Sequence, residues 1–282
     1  MCNVQSKISV ICGPTSSGKT SFALKQIGDR KAVLITVDSR HLYQGLPITS
    51  GWDLDPNKKN IEYVGFGHFK SDEKANAVDY AKYVREIIDD NYDKKDIYLV
   101  GGSGFYIQAI IHPEKIDLAP ANPELRKKFE LLPIDELKEE LKKTSPDVFN
   151  SLNNSDQNNP RRLIRRLEIL SHPSPLYKGG SRGVFSHPPP FPYPLQITRL
   201  PVPADHHDLI KQRIEKRLST GSLDEVKELL KEYPGQALPI YSTIGVKQII
   251  MFINGQITKE KMVSLWLTDE LSYVRRQLTW FK

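Results

Sequence analysis

With 282 residues, 39% of them hydrophobic and 26% charged, the chain has the composition of a folded globular protein with ample interior rather than a disordered or membrane-spanning one. Lysine and arginine number 40 against 34 acids, and the net charge of +6 suits a polyanionic partner without requiring one. The two cysteines, Cys2 and Cys12, stand in no metal-ligand spacing, which excludes a disulfide framework and fits a reducing compartment.

Residues 1–7 show no charged start followed by an apolar run, and no apolar stretch approaches the ~20 residues that span a bilayer. A cytoplasmic, monomeric chain without membrane contact is expected. The first third alternates short β-rich apolar runs with helical stretches, the pattern of parallel strands covered by helices. Ile8–Cys12, Val33–Val37 and Ile97–Val100 are the predicted strands. Between the last two, Lys74–Asp90 places Val78, Ala81, Val84, Ile87 and Ile88 at helical period, a crossover helix.

After about Pro113 the strands stop. Pro123–Lys143 reads as a charged helix on Leu125, Phe129, Leu132, Leu137 and Leu141. Pro160–Leu170 starts with proline at a helix-start position. Ser171–Pro194 is a proline-rich connector, and Leu195–Leu200 resumes a strand-like run. Asp205 opens a helix that Gly221 closes. Ser222-Leu223-Asp224-Glu225 has capping-box spacing for the next, and a final helix runs from about Thr258 to Trp280 with Leu265, Leu271, Val274 and Leu278 as its core residues. The fold class expected is α/β: a P-loop parallel-sheet core with helices on both faces, formed by residues 1–115 and 199–282, and a small helical domain inserted at 116–198.

Chemistry concentrates at three places. Gly13-Pro14-Thr15-Ser16-Ser17-Gly18-Lys19-Thr20 follows an apolar strand and precedes a helical run, matching the phosphate-binding fingerprint G-x-x-x-x-G-K-[ST]. Its glycines let successive amides curl round phosphate oxygens, Lys19 neutralises charge, and the Thr20 hydroxyl can reach Mg²⁺. The second predicted strand ends in Asp38, at the carboxyl edge where open α/β sheets bind ligands. An acid there can hold Mg²⁺ or take a proton. The third ends in Gly101-Gly102-Ser103-Gly104, a glycine-rich turn into a helix, where Ser103 taken alone reads as a cap.

These segments, with Tyr43-Gln44-Gly45-Leu46, Asn122-Pro123-Glu124-Leu125-Arg126, Asn159-Pro160-Arg161-Arg162-Leu163-Ile164-Arg165-Arg166, Gln212-Arg213-Ile214-Glu215-Lys216-Arg217 and the ending Arg275-Arg276-Gln277-Leu278-Thr279-Trp280-Phe281-Lys282, resemble the tRNA dimethylallyltransferases. The resemblance spans nearly the whole chain. It implies a prenyltransferase that moves the five-carbon group of dimethylallyl diphosphate to the N6 amine of an adenosine beside the tRNA anticodon, with Mg²⁺ as cofactor. Residues 13–20 would then hold the donor's diphosphate rather than ATP.

By the same resemblance Asp38 is the base, Ser103 touches the everted adenine, and Arg217 binds diphosphate. Asp38, Ser39, Arg40, His41, Ser103, Arg126, Arg161, Arg162, Leu163, Ile164 and Arg165 are its implied tRNA contacts. The chain departs from the family pattern at Thr49-Ser50-Gly51-Trp52-Asp53, at Gly67-His68, and at Thr268-Asp269. An adenylate isopentenyltransferase with a free nucleotide acceptor and a P-loop small-molecule kinase are the rival readings. Trp280 and Phe281 read as packing residues rather than base-stacking ones.

Overall fold

The computed structural model describes residues 8–115, 122–171, 190–236 and 238–281. Two compact units divide the chain, one of Met1–Lys115 with Pro190–Lys282 and one of Ile116–Pro189.

The first unit is built on five parallel strands in the order β3-β2-β4-β1-β5: β1 (Ile8–Cys12), β2 (Ala32–Thr36), β3 (Ile61–Val64), β4 (Asp96–Gly101) and β5 (Leu195–Arg199). All four strand pairings are parallel, with Ile8 opposite both Ile97 and Leu195. Every residue of β2 and β4 is buried, as an interior strand requires when helices cover both faces of a parallel sheet. On one face α1 (Lys19–Ile27) places Ala23 and Ile27 against Ile11, Leu34, Tyr98 and Val100. After β2 comes the short α2 (Pro47–Ser50). Helix α3 (Ala77–Asn91), capped by the Asn76 side chain, leads into β4 and buries Tyr80, Val84 and Ile88. Helix α4 (Gly104–Ile111) follows β4.

The predicted strands and crossover helix appear close to their expected places, but β3 was not foreseen. It is a four-residue edge strand with Glu62 exposed and Tyr63 half-buried, so it lacks the continuous apolar run of its neighbours. Strand β5 pairs with β1, so the sheet takes in a segment that the expected boundary at residue 199 had divided. Much of the proline-rich connector lies outside the described residues.

The second unit, in its described part, contains α5 (Pro123–Glu130), α6 (Ile134–Thr144), α7 (Pro146–Ser151), α8 (Asn154–Gln157) and α9 (Pro160–Leu170). The single helix expected over 123–143 is two, because Pro133 has no amide hydrogen to continue the ladder and becomes the N-cap of α6. Phe129, Leu137, Leu141, Phe149, Leu163, Ile164 and Leu167 form this unit's core.

In the first unit the chain after β5 is helical: α10 (His206–Thr220), α11 (Ser222–Glu232), α12 (Val246–Ile253) and α13 (Lys259–Trp280). They pack around Trp266, which is fully buried beside Gly245. That glycine has φ +94°, and an added Cβ would come within 2.6 Å of the indole. The capping box expected at Ser222 and Glu225 is not formed. Ser222 Oγ donates to the Arg217 carbonyl, and Glu225 accepts the Ile48 and Thr49 amides of α2. On α13 the inward positions are Met262, Trp266, Glu270, Val274 and Gln277; Leu265 and Leu271 are half-buried and Leu278 is exposed. No helix among the described residues is long and apolar enough to cross a membrane.

Candidate active site

The phosphate loop leaves β1 through Gly13 (φ +152°), passes Ser16 in the left-handed region (φ +57°), and enters α1 through Gly18 (φ +78°). That curl leads the loop into the positive end of α1, where a helix start favours an anion. Both the Ser16 and Ser17 hydroxyls are buried without a hydrogen-bond partner, a cost that native structures rarely carry unless a ligand satisfies the groups. Lys19 folds back to donate to the Pro14 carbonyl. Burial first, and Arg213 and Arg40 after it, bring the Lys19 ammonium down to about 8 against the opposing pull of Asp38. Thr20 lies in the first turn of α1, next to Lys19. Among the described residues no cluster of three or more His, Cys, Asp or Glu side chains forms a ready-made metal cage. A cation here would therefore draw its ligands from the Thr20 hydroxyl, phosphate oxygens and water, the usual habit of Mg²⁺.

Three long-range hydrogen bonds hold the loop at Thr15. Its amide donates to Gln277 Oε1 at 2.9 Å, its carbonyl accepts from His206 Nε2 at 2.7 Å, and its hydroxyl accepts from Arg213 at 3.2 Å. Gln277 also donates to the Gly102 carbonyl at 3.1 Å, so one amide side chain ties together the turns after β1 and β4.

At the end of β2, Asp38 is 4% exposed. Burial works to raise its carboxyl, but Arg40, His41 and Lys19 and the Arg40 amide outweigh it and hold the group well below the usual carboxylate range. It is ionised at neutral pH. Gly101 is needed beside it, since an added Cβ would lie 2.3 Å from the Val37 carbonyl. Ser103 does not cap α4 with its side chain, as a helix-start serine would. Its hydroxyl accepts from the Ser39 amide at 2.9 Å and stands 3.3 Å from the Tyr273 hydroxyl, so Asp38 and Ser103 sit on two turns bonded to each other.

Behind them lies a buried triad. Glu270 accepts from Arg40 at 2.9 and 3.1 Å and from Arg217 at 3.4 Å, and Arg217 also donates to the Ser50 carbonyl. Arg217 is 5% exposed while Lys211 and Lys216 on the same helix point to solvent, so it is no solvated helix charge. Burial and the neighbouring Arg213 bring Arg217 down to about 9, with Glu270 opposing. Arg213, to which the sequence assigned no role, is the arginine that reaches the loop, and it also pairs with Asp53 at 2.5 Å.

The expected RNA contacts divide. Ser39 lies beside Ser103. The Arg40 side chain points inward to Glu270 and to the Tyr273 ring, 4.6 Å from its centroid. His41 bonds Thr36 and stacks on Phe66, and burial, ahead of the opposing Asp38, brings its imidazole down to about 4. In the second unit, Leu163 and Ile164 turn their side chains into the core. Arg126 makes a two-pronged pair with the buried Glu168, which Arg165 also approaches at 3.4 Å. Arg162 pairs with Asp156, and Arg161 and Arg166 are exposed.

A phosphate loop opening the first helix of a parallel sheet, with an ionised carboxylate at the same edge and one strand between them, defines a P-loop α/β protein. Residues 41–282 match the family model described as IPP transferase, and the chain belongs to that family. A tRNA dimethylallyltransferase 1 of Citrifermentans bemidjiense is 28% identical over 280 residues, covering 98% of this chain and 89% of the relative. A tRNA dimethylallyltransferase of Prochlorococcus marinus is 30% identical over 278 residues, covering 97% and 88%. The fold is shared with the full-length tRNA isopentenylpyrophosphate transferase of Bacillus halodurans, at a TM-score of 0.67 and 24% identity over 98% of this chain and 86% of that one. It is shared too with a eukaryotic dimethylallyltransferase described as acting on tRNA, at a TM-score of 0.78 and 21% identity over 98% and 70%.

Proposed function

We propose that the chain transfers the dimethylallyl group of dimethylallyl diphosphate to the N6 amine of an adenosine next to the tRNA anticodon, releasing diphosphate. The observation that carries this reading is the pairing of an anion cradle, with two unsatisfied buried hydroxyls, and an ionised, buried Asp38 facing it. Family membership supplies the donor and acceptor.

The donor's C–O bond breaks as the C–N bond forms, and its electron pair leaves on the diphosphate. Loop amides, Lys19, Arg213 and Arg217 stabilise that growing negative charge in a site shielded from water. Thr20 would be the residue to hold Mg²⁺, which would supply further positive charge for the departing diphosphate. As nitrogen is alkylated its protons become strongly acidic, so even a carboxylate held far below its usual range can accept one. Asp38 suits that role by position and by being ionised. The acceptor base must leave its stack to reach Asp38 and Ser103. The second unit, with the exposed Arg161 and Arg166 on α9, is the proposed grip on RNA phosphates.

The test incubates the protein with dimethylallyl diphosphate, Mg²⁺ and either an anticodon stem-loop or AMP, and follows acceptor mass. Only the RNA should gain one isopentenyl unit. Prenylation of AMP alone would indicate the free-nucleotide enzyme, and transfer of the terminal phosphate of ATP with the prenyl donor untouched would indicate a kinase.

A further inference from the structure

Trp280 and Phe105 are the two exposed tryptophan or phenylalanine side chains among the described residues, at 46% and 45%, and they lie together. Their ring centroids are 6.3 Å apart and tilted by 59°. Every other Phe and Trp described is buried or half-buried, so this pair is not the ordinary scatter of apolar surface. Its position is equally particular. Trp280 lies over Gly104, where an added Cβ would come within 2.7 Å of it, and Gly104 directly follows Ser103. One turn back on α13, Gln277 bonds Thr15 and Gly102. The aromatic pair is therefore continuous with the rim of the site. Exposed arginines lie on the neighbouring chain: Arg275 and Arg276 earlier on the same helix, where they reach Ser272 and the Tyr273 ring, and Arg199, which donates to the Phe281 carbonyl at 3.1 Å.

Exposed aromatic faces beside guanidinium groups are what single-stranded RNA requires, because every base has a π-face to stack and every nucleotide a phosphate to neutralise. We propose that Phe105 and Trp280 form a stacking platform for a base flanking the everted adenine, filling the gap that the adenine leaves in the RNA stack. This rests on RNA being the acceptor and gives the exposed Trp280 a role beyond the packing expected of it.

The test measures binding of a fluorescent anticodon stem-loop to the wild-type chain and to Phe105→Ala and Trp280→Leu. The leucine keeps apolar cover over Gly104, and thermal unfolding checks that the fold survives. The RNA is used intact and with an abasic residue at the 5′ or the 3′ neighbour of the target adenine. Each variant should bind intact RNA about 5- to 100-fold more weakly, with KM for the prenyl donor unchanged. An abasic neighbour on one side should weaken wild-type binding similarly and add little further loss in the variants. Unchanged affinity in both variants, or losses that simply multiply at both flanks, would overturn the platform. Prenyl transfer is scored separately: a wild-type chain that shows the coupled pattern but transfers nothing keeps the platform and loses the proposed reaction, whereas transfer without coupling does the reverse.

Discussion

Glu270 takes both of its oxygens to one nitrogen of Arg40, at 2.9 and 3.1 Å, with neither side chain more than 9% exposed. Arg217 shares the same carboxylate. Two guanidiniums and one carboxylate without solvent are tolerable only because each charge has a partner. Glu270→Gln removes the shared anion, leaving Arg217 without its carboxylate and Arg40 with only Asp38, at 3.5 Å. The expected loss is about 3–5 kcal/mol, a fall in Tm of roughly 6–15 °C for a chain of this size. Circular dichroism melting checks it. Inorganic diphosphate should raise the Tm of this variant more than that of wild type, because the anion replaces the missing negative charge; equal shifts would place the triad outside the donor's reach.

Asp38→Asn keeps shape and removes the proton acceptor. Turnover on the stem-loop should drop about 10²–10⁴-fold, while KM for RNA changes little. Steady-state kinetics separate the two. A variant with normal kcat and a raised KM would make Asp38 a binding residue instead.

The parts of this site that were legible in the sequence are those encoded by contiguous residues. The phosphate loop is a local fingerprint, and Asp38 and Ser103 follow apolar strands whose ends mark the binding edge. What sequence could not show is what closes the loop from behind. Arg213, His206 and Gln277 meet Thr15 across 198, 191 and 262 residues, and nothing in the local pattern of His206 or Gln277 distinguishes them from surface polar groups. Glu225 misled for the same reason: its spacing from Ser222 suits a cap, but two amides of α2 claim the carboxylate. The i,i+4 relation of Arg213 and Arg217 was a signal available but unused, since it places both on one helix face.

Lys19 should impose a pH limit on the donor. With its ammonium at about 8, the cradle carries its full charge below that value and loses it above. Log kcat/KM for dimethylallyl diphosphate should be level from pH 6.5 to 7.5 and decline through pH 8, since this parameter reports the free enzyme. Stability runs the other way. The folded lysine releases its proton at lower pH than the unfolded chain, so between about 8 and 10.5 the unfolded state binds more protons and stability contributed by this group rises with pH. A kcat/KM profile level to pH 9.5 would count against a catalytic charge on Lys19.

His41 gives the acid-side counterpart. Held down to about 4 by burial, it stays neutral in the fold where the unfolded chain takes a proton near its ordinary 6.5. The unfolded state thus binds more protons between those values, and stability is lost as pH falls from about 6.5 towards 4. His41→Gln should flatten that part of a urea-midpoint profile. An unchanged slope would assign the acid sensitivity to other groups.

On α9 the arginines differ in what RNA would have to displace. Arg162 pairs with Asp156 and Arg126 with Glu168, so a phosphate gains from either only after breaking an ion pair. Arg161 and Arg166 are exposed, and among the described residues no ion pair engages them. Charge reversal at both, Arg161→Glu with Arg166→Glu, should therefore weaken stem-loop binding more than Arg162→Ala does. It should also lower the slope of log affinity against log salt by about 0.7–0.9 for each phosphate that is no longer neutralised. Donor binding is untouched by this reasoning, because the cradle belongs to the other unit, so KM for dimethylallyl diphosphate should stay within about twofold of wild type. Equal RNA affinity and equal salt slopes in the reversed variant would move the RNA grip away from α9.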